Sequence, residues 1–391
     1  MKILYITTFY SYRDSSAAVR NNALVKGLIE LGHTVDVQTV RYPSETTSPN
    51  LSFGNIYFTD VFNWSSRQSI GAVVASNKFL SLLRNIYVSV RKYGEFPDKF
   101  HAWVNKIDLN KIPLPEYDLM ISSSDGKTSH FVAERIKRQM PGLKWIQIWG
   151  DPWYDDLNYS GISKLRIKVA EQKILQKAEE IIYISEPTAE LLQKRYPDLS
   201  TKIHFVPRSY LYEYNYEVCE KDDMHIIYTG TIRSFYGRNI TSLADAIAAF
   251  NSTSRRKIYL DIYGSVDEDI IKSLSSEYVV FHKGVDVKQL GNIYEGANAL
   301  LYVSNKVGST QIPGKLYDYL GTSSLVLCLM NDVNDRIAEY IKTLGEKCLM
   351  IQNDIEHISE SLPELVSRMS KDYQPVKSFS PIEIAKKIVT I

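Results

Sequence analysis

Short apolar runs and helix-spaced apolar positions alternate along the whole chain. KILYITTF is a run of strand length, and from about Ala17 to Leu31 the residues Val19, Ala23, Leu24, Leu28 and Leu31 recur three and four apart, with Gly32 as a stop signal. TVDVQTV predicts the next strand. The rhythm continues through NIYFTDVF, DLMISSS, KWIQIWG, EIIYIS and IHFVP, the last four separated by segments of helix length. Such repeats with right-handed crossovers predict an α/β fold built on a doubly wound parallel sheet.

Between Arg208 and Asp223 the pattern lapses into the polar, tyrosine-rich RSYLYEYNYEVCEKDD. A second series follows, with strands at HIIYTGT, KIYLDIYG, YVVFHKG, ALLYVS, SLVLCL and CLMI and helices between them. The expected division is therefore a first Rossmann-like domain over 1–207, a linker over 208–223 and a second Rossmann-like domain over 224–380. PIEIAKKIVTI predicts a final helix over 381–391. Two such domains would turn the carboxyl ends of both sheets toward a central cleft, where open α/β sheets bind ligands.

Within the second series, Pro313 suits the first turn of a helix beginning near Gln311 to Gly314, before the apolar run SLVLCL from Ser324 through Leu329. The open N–H groups of that turn could receive an anion.

Composition narrows the function. The chain has 391 residues, enough for two cores, and 46 Lys and Arg against 45 Asp and Glu leave a net charge of +1, so no global field recruits nucleic acid. The three cysteines, Cys219, Cys328 and Cys348, form no C-x-x-C pair, which predicts reduced thiols in the cytoplasm and no zinc site. MKILYITTFY has no small-residue cleavage site and is expected to be a strand, not a signal peptide. No run of eighteen apolar residues predicts a membrane span.

Neither G-x-G-x-x-G after a strand nor G-x-x-x-x-G-K-[ST] occurs, which disfavours a dehydrogenase and a P-loop ATPase. The triplet Asp267, Glu268 and Asp269 offers a metal-type cluster, or, as the commoner use of such residues, helix capping. What remains gathers at the ends of the second domain's strands: Gly230 and Thr231 after HIIYT, Gly264 after KIYLDIY, Gly284 after VVFHK, with Arg238 from the SFYGR loop and Lys315. Glycines there let a ligand approach the backbone, and the two cations would neutralise a diphosphate. Asp318, three residues after Lys315, could accept from two ribose hydroxyls or form an exposed ion pair with Lys315. The pattern leaves both open.

These residues carry a resemblance. TGTIRSFYGRN, HKGVDVKQL and IPGKLYDYLGTSSLVLCL resemble the donor half of retaining GT-B glycosyltransferases of the family-4 type (glycosyl transferases group 1). SSAAVRNNALVKGLIELGHTVDV resembles the family's opening, and EFPDKFHAW, DLMISSSDGKTSH, KWIQIWGDPW and IIYISEPTAELLQKRYPDLSTKIHFVP resemble a subgroup of bacterial surface-polysaccharide pathways.

The resemblance implies a UDP- or GDP-linked sugar donor, no required cofactor or metal, and transfer to a glycan or polyprenyl-linked acceptor. It sets Asp318 where the family has the Glu that holds the ribose, Lys315 and Arg238 on diphosphate positions, and Gly284 with Val285 at the base. Gly230, Gly264 and Leu316 fall in the same donor site. Three departures stand out: Thr310 replaces a second Glu, Thr231 replaces a frequent Arg with Arg233 as its candidate substitute, and Ser15 and Ser16 replace a glycine pair.

In the first domain Asp151, with Ser122 to Asp125 and Glu186, is expected at the cleft, where a carboxylate could orient or deprotonate an acceptor hydroxyl. Asp151 before Pro152 could equally cap a turn. Ser15, Ser16, Arg20 and Trp153 complete the acceptor-side candidates, and the catalytic candidates are Asp151, Arg238 and Lys315. Residues 78–93 show a basic amphipathic stripe that would suit the inner face of a membrane or the domain's own sheet.

The expectation is thus a cytoplasmic hexosyl- or N-acetylhexosaminyl-type glycosyltransferase (EC 2.4) of cell-envelope polysaccharide biosynthesis. Its rivals are a non-catalytic nucleotide-sugar or glycan-binding protein and a nucleotide-sugar epimerase of the same fold.

Overall fold

The computed structural model describes residues 1–10, 15–42, 54–62, 94–156, 161–217, 223–233, 237–274 and 276–391. The stripe at 78–93, Cys219 and residues 234–236 of the SFYGR loop lie outside them. The chain forms two compact units. The first comprises Met1–Ile184, Thr188–Val206 and Ala385–Ile391, and the second Ser185–Pro187 and Pro207–Ile384.

The first unit holds a seven-stranded parallel sheet in the order β3-β2-β1-β4-β5-β6-β7. Its strands are Lys2–Thr7 (β1), Thr34–Val40 (β2), Ile56–Thr59 (β3), Leu119–Ser124 (β4), Lys144–Trp149 (β5), Glu180–Tyr183 (β6) and Ile203–Phe205 (β7). The six-stranded sheet of the second unit, order β10-β9-β8-β11-β12-β13, is built from Met224–Ile232 (β8), Ile258–Val266 (β9), Val279–His282 (β10), Ala299–Val303 (β11), Leu325–Met330 (β12) and Cys348–Gln352 (β13). In both sheets the order reverses beside the first strand, between β1 and β4 and between β8 and β11. That reversal is the switch point at which the carboxyl ends of such sheets hold ligands.

Helices on the sheet faces explain the unbroken apolar strands: every residue of β11 and β12 is buried. β8 pairs with β9 over nine residues, from Met224↔Ile258 to Ile232↔Val266, yet pairs with β11 only at Ala299↔Ile226 and Leu300↔Ile227. The two switch-point strands of the second unit therefore part early and leave a crevice at their carboxyl ends.

The segment expected as a linker behaves otherwise from Arg208 to Tyr216. Tyr214 N–H donates to Gly321 O at 2.8 Å, Tyr216 N–H donates to Ser323 Oγ at 3.1 Å, and the Tyr216 hydroxyl lies 2.7 Å from Ser324 Oγ. This stretch is a strap bound to the second unit. Its tyrosines give rigid aromatic area and a hydroxyl each, which accounts for part of the high tyrosine content. Among the described residues no helix is long and apolar enough to cross a membrane.

Candidate functional site

The second unit's site is built on a contact between strands. Gly230 in β8 and Gly264 in β9 are register partners with φ of 144° and 147°, and a Cβ on Gly264 would lie 1.9 Å from Gly230 O. Only glycine fits such a conformation and approach. A Cβ on Gly284 would sit 3.9 Å from Gly264 Cα, so the three glycines adjoin. Both strands run two residues beyond these glycines, to Ile232 and Val266, rather than stopping at them.

Two cations overlook this bare backbone. Lys315 Cε is 3.5 Å from where a Cβ on Gly230 would be. Arg238 donates from Nη1 to Thr231 O at 3.1 Å and from Nε and Nη2 to Asn305 Oδ1 at 3.2 and 3.1 Å. Thr231 continues β8 and Asn305 follows β11, so Arg238 spans the switch-point crevice. Burial pushes the Lys315 ammonium below its ordinary pKa, the neighbouring Arg208 guanidinium adds to that, and Asp318 partly offsets it. An anion bound at Gly230 would relieve that cost.

Lys315 opens the helix Lys315–Leu320, whose N-cap is Gly314. It starts one residue past the Gln311 to Gly314 window that the sequence predicts, after a tight turn in which Leu316 N–H donates to Pro313 O at 3.2 Å. The side chain of Leu316, a donor-site candidate, is fully buried. Asp318 is held on two sides: Arg208 Nη2 donates to Oδ1 at 2.7 Å, and Lys315 Nζ is 3.7 Å from Oδ2. Arg208 escaped the sequence reading because its partner lies 110 residues away.

Of the remaining donor-side candidates, Arg233 pairs with Asp267 at 2.5 Å and with Ser265 Oγ at 2.9 Å. Asp267 makes no side-chain cap to its helix; the guanidinium claims its carboxylate instead. Thr310 O accepts from Ser185 Oγ. Val285 is half-buried beside the exposed Gly284. Beneath the glycines, Thr229 N–H donates to the Tyr319 hydroxyl at 3.1 Å, and Thr229 Oγ1 lies 3.2 Å from the Tyr294 hydroxyl.

The first unit gathers a separate polar cluster at its own switch point. Arg20, buried, donates from Nη2 to Asp125 Oδ2 at 2.7 Å and to Ser124 O at 3.2 Å. Asn21 ties β1 to β4, donating to Thr7 Oγ1 at 2.8 Å and accepting from Ser123 Oγ at 2.7 Å. Lys127 donates to Asp151 O at 3.3 Å and packs over Trp149. Burial raises the Asp151 carboxyl and Asp125 raises it further, against the pull of Lys127 and Arg20. Burial likewise holds His130 well below its ordinary value, with Nδ1 2.7 Å from Ser122 Oγ.

The other four acceptor-side candidates take these places. Trp153 is buried against Trp149, Phe96 and Phe131, a core residue because an indole of that size fits the aromatic stack there. Its backbone N–H is taken by Glu171 Oε2 at 3.2 Å, as is that of Tyr154 at 2.9 Å, and this buried glutamate fixes the GDPW loop. Ser15 is a helix N-cap, accepting from Ala18 N–H at 3.0 Å, with Ser16 the first helical residue. Glu186 opens the helix Glu186–Arg195 and groups with the second unit.

Two parallel Rossmann-like units of seven and six strands are the build of the GT-B fold. No family profile matches the chain, and none of the curated proteins matches it. Solved structures do. Sucrose-phosphate synthase from Thermosynechococcus elongatus matches with a TM-score of 0.65 at 13% identity, over 100% of this chain and 98% of that one. WaaG, a glycosyltransferase involved in lipopolysaccharide biosynthesis, gives 0.55 at 13% identity over 100% and 95%. The UDP-GlcNAc 2-epimerase from Neisseria meningitidis, bound to UDP-GlcNAc, gives 0.56 at 11% identity over 100% and 99%. These likenesses define the fold, which is shared by transferases and epimerases.

Proposed function

We propose that the protein is a retaining glycosyltransferase that takes a sugar from a nucleoside-diphosphate donor bound to its second unit. One observation carries this reading: Lys315 and Arg238 converge on the bare backbone of Gly230 and Thr231 at the switch point of β8 and β11. A diphosphate laid on that backbone gains two cations, with Asp318 three residues along the same helix face for the ribose. Negative charge grows on the phosphate as the anomeric bond breaks, so cations already in place stabilise the transition state more than the bound donor. Gly284 and Val285 would lie under the base.

The first unit supplies the acceptor chemistry in this proposal. Asp151 orients or deprotonates the acceptor hydroxyl, its raised carboxyl lying nearer the working pH than an ordinary aspartate. Arg20 and Asp125 shape that subsite. A glycan or polyprenyl-linked acceptor and a place in envelope polysaccharide assembly follow from the sequence resemblance, as does work at the cytoplasmic side of a membrane. The neighbours that are epimerases supply the second reading.

One assay separates the readings. UDP- and GDP-sugars are incubated with and without a panel of glycan and polyprenyl-phosphate acceptors, and products are resolved by mass and NMR. Nucleoside diphosphate released together with a glycosylated acceptor of unchanged anomeric configuration supports the proposal. Conversion of the donor sugar without an acceptor would establish the epimerase. Donor binding with neither product would leave a binding protein.

A further inference from the structure

We infer that Arg208 is a positioning residue of the nucleotide site, acting through Asp318 on the ribose of the donor; this rests on the nucleotide-sugar reading above. Arg208 stands just after the point where the chain passes into the second unit, in a stretch whose composition suggests a free tether. Its side chain is 2% exposed, and it donates to Asp318 Oδ1 at 2.7 Å. Burying a guanidinium and a carboxylate together gains little stability over an apolar pair of the same size. The pair does fix the direction of the carboxylate. With Oδ1 oriented by Arg208, Oδ2 is left toward Lys315 Nζ at 3.7 Å, a separation too long for a hydrogen bond. Oδ2 is thereby available to a vicinal diol, and Oδ1 keeps a second lone pair.

The strap holds Arg208 in register with the helix it serves. Asn215 Oδ1 accepts from Ser323 Oγ at 3.1 Å, which adds to the Tyr214 bond to Gly321 and the Tyr216 bonds to Ser323 and Ser324. Tyr210 packs so closely on Gly321 that a Cβ there would lie 2.6 Å from its ring. Tyr210 N–H donates to Phe379 O at 3.3 Å. The strap's bonds to Gly321, Ser323 and Ser324 are thus on the turn that ends the Lys315–Leu320 helix or directly after it. A segment whose only task was to join two units would not need a buried arginine at its start, aimed at the carboxylate of that helix.

The test uses UDP and GDP and their 2′,3′-dideoxy counterparts as calorimetric probes, with wild type, Arg208→Met and Arg208→Lys, and a thermal melt of each. Wild type is expected to bind the ribonucleotide about tenfold more tightly than the dideoxy form, the scale of one charged hydrogen bond. Arg208→Met should lose that discrimination while binding the dideoxy form as wild type does, and Arg208→Lys should fall between. An equal loss on both nucleotides would reduce Arg208 to a structural role, and a wild type indifferent to the hydroxyls would remove Asp318 from the ribose. Should Arg208→Met fail to fold, Arg208→Lys decides: discrimination equal to wild type overturns the inference. If wild type binds neither UDP nor GDP, the nucleotide-sugar reading itself falls and takes this one with it.

Discussion

A Cβ on Gly150 would stand 2.3 Å from Nη1 of Arg20 and 2.9 Å from Oδ1 of Asp125. The glycine of the GDPW motif is therefore space for an ion pair, and its own φ plays no part. Arg20 cannot swing aside cheaply, since Ser123, Ser124 and Asp125 all hold its Nη2 in a buried position. Gly150→Ala is expected to displace the guanidinium and cost about 1 to 3 kcal/mol, the range for overpacking. Urea unfolding measures the cost, and a loss of transfer activity beyond what stability explains would tie the pair to the acceptor. Wild-type stability and turnover in the alanine variant would show that the cluster tolerates the shift.

The glycines of β8 and β9 should respond unequally. In Gly264→Ala the new methyl meets a backbone carbonyl at 1.9 Å, which cannot rotate away. A loss of about 3 kcal/mol or more, or failure to fold, is expected. Gly230→Ala meets nothing nearer than Lys315 Cε at 3.5 Å, so only its φ of 144° is strained. That variant should lose about 1 to 3 kcal/mol and remain folded. Melting temperatures that rank the two in the opposite order would contradict the backbone-contact argument.

All thirteen strands of the described residues were legible in the chain, because buried parallel strands declare themselves as short apolar runs between helix-spaced patterns. That Lys315 and Arg238 stand beside the end of β8 was legible too, since each lies near a strand end or turn in sequence. What stayed hidden depends on long-range pairing. Arg208 reads as part of a tether in sequence, but its partner Asp318 lies 110 residues away, and Glu171 lies in a helix with no local sign that it caps Trp153 and Tyr154. Trp153, named as an acceptor-side candidate, is buried in the aromatic core, a placement that also depends on long-range packing.

Lys315→Ala should lower kcat for sugar transfer more than it raises the KM for the donor. On the proposed reading the lysine faces the position where charge grows during bond breaking, so its loss would weaken the transition state selectively. Arg238→Ala should follow the same pattern less steeply, because its guanidinium is already engaged with Asn305 and Thr231. Steady-state kinetics across donor concentrations decides; a rise in KM with kcat unchanged would make Lys315 a ground-state contact only.

The far end of the same helix rests on a buried lysine, and stability there should depend on pH. Lys347 Nζ donates to Leu320 O at 3.3 Å, to Gln374 O at 3.2 Å and to Thr322 O, joining the end of the Lys315–Leu320 helix to the segment that follows Met369. Burial nevertheless pushes its ammonium down to about 7, with Cys348, beside it in the chain, partly opposing the shift. In the unfolded chain a lysine titrates near ~10.4. Between those values the unfolded state binds one more proton than the folded state, so raising the pH favours folding; below about 7 both states are protonated and the term is flat. The unfolding free energy of wild type relative to Lys347→Met should therefore rise by about 1.4 kcal/mol per pH unit between roughly pH 7.5 and 9. Urea titrations of both proteins at pH 6, 7, 8 and 9 would be compared, with Lys347→Met cancelling every other titrating group. A gap that stays constant across the series would mean that the three carbonyls keep Lys347 charged throughout, and that the helix end is held by a permanent cation.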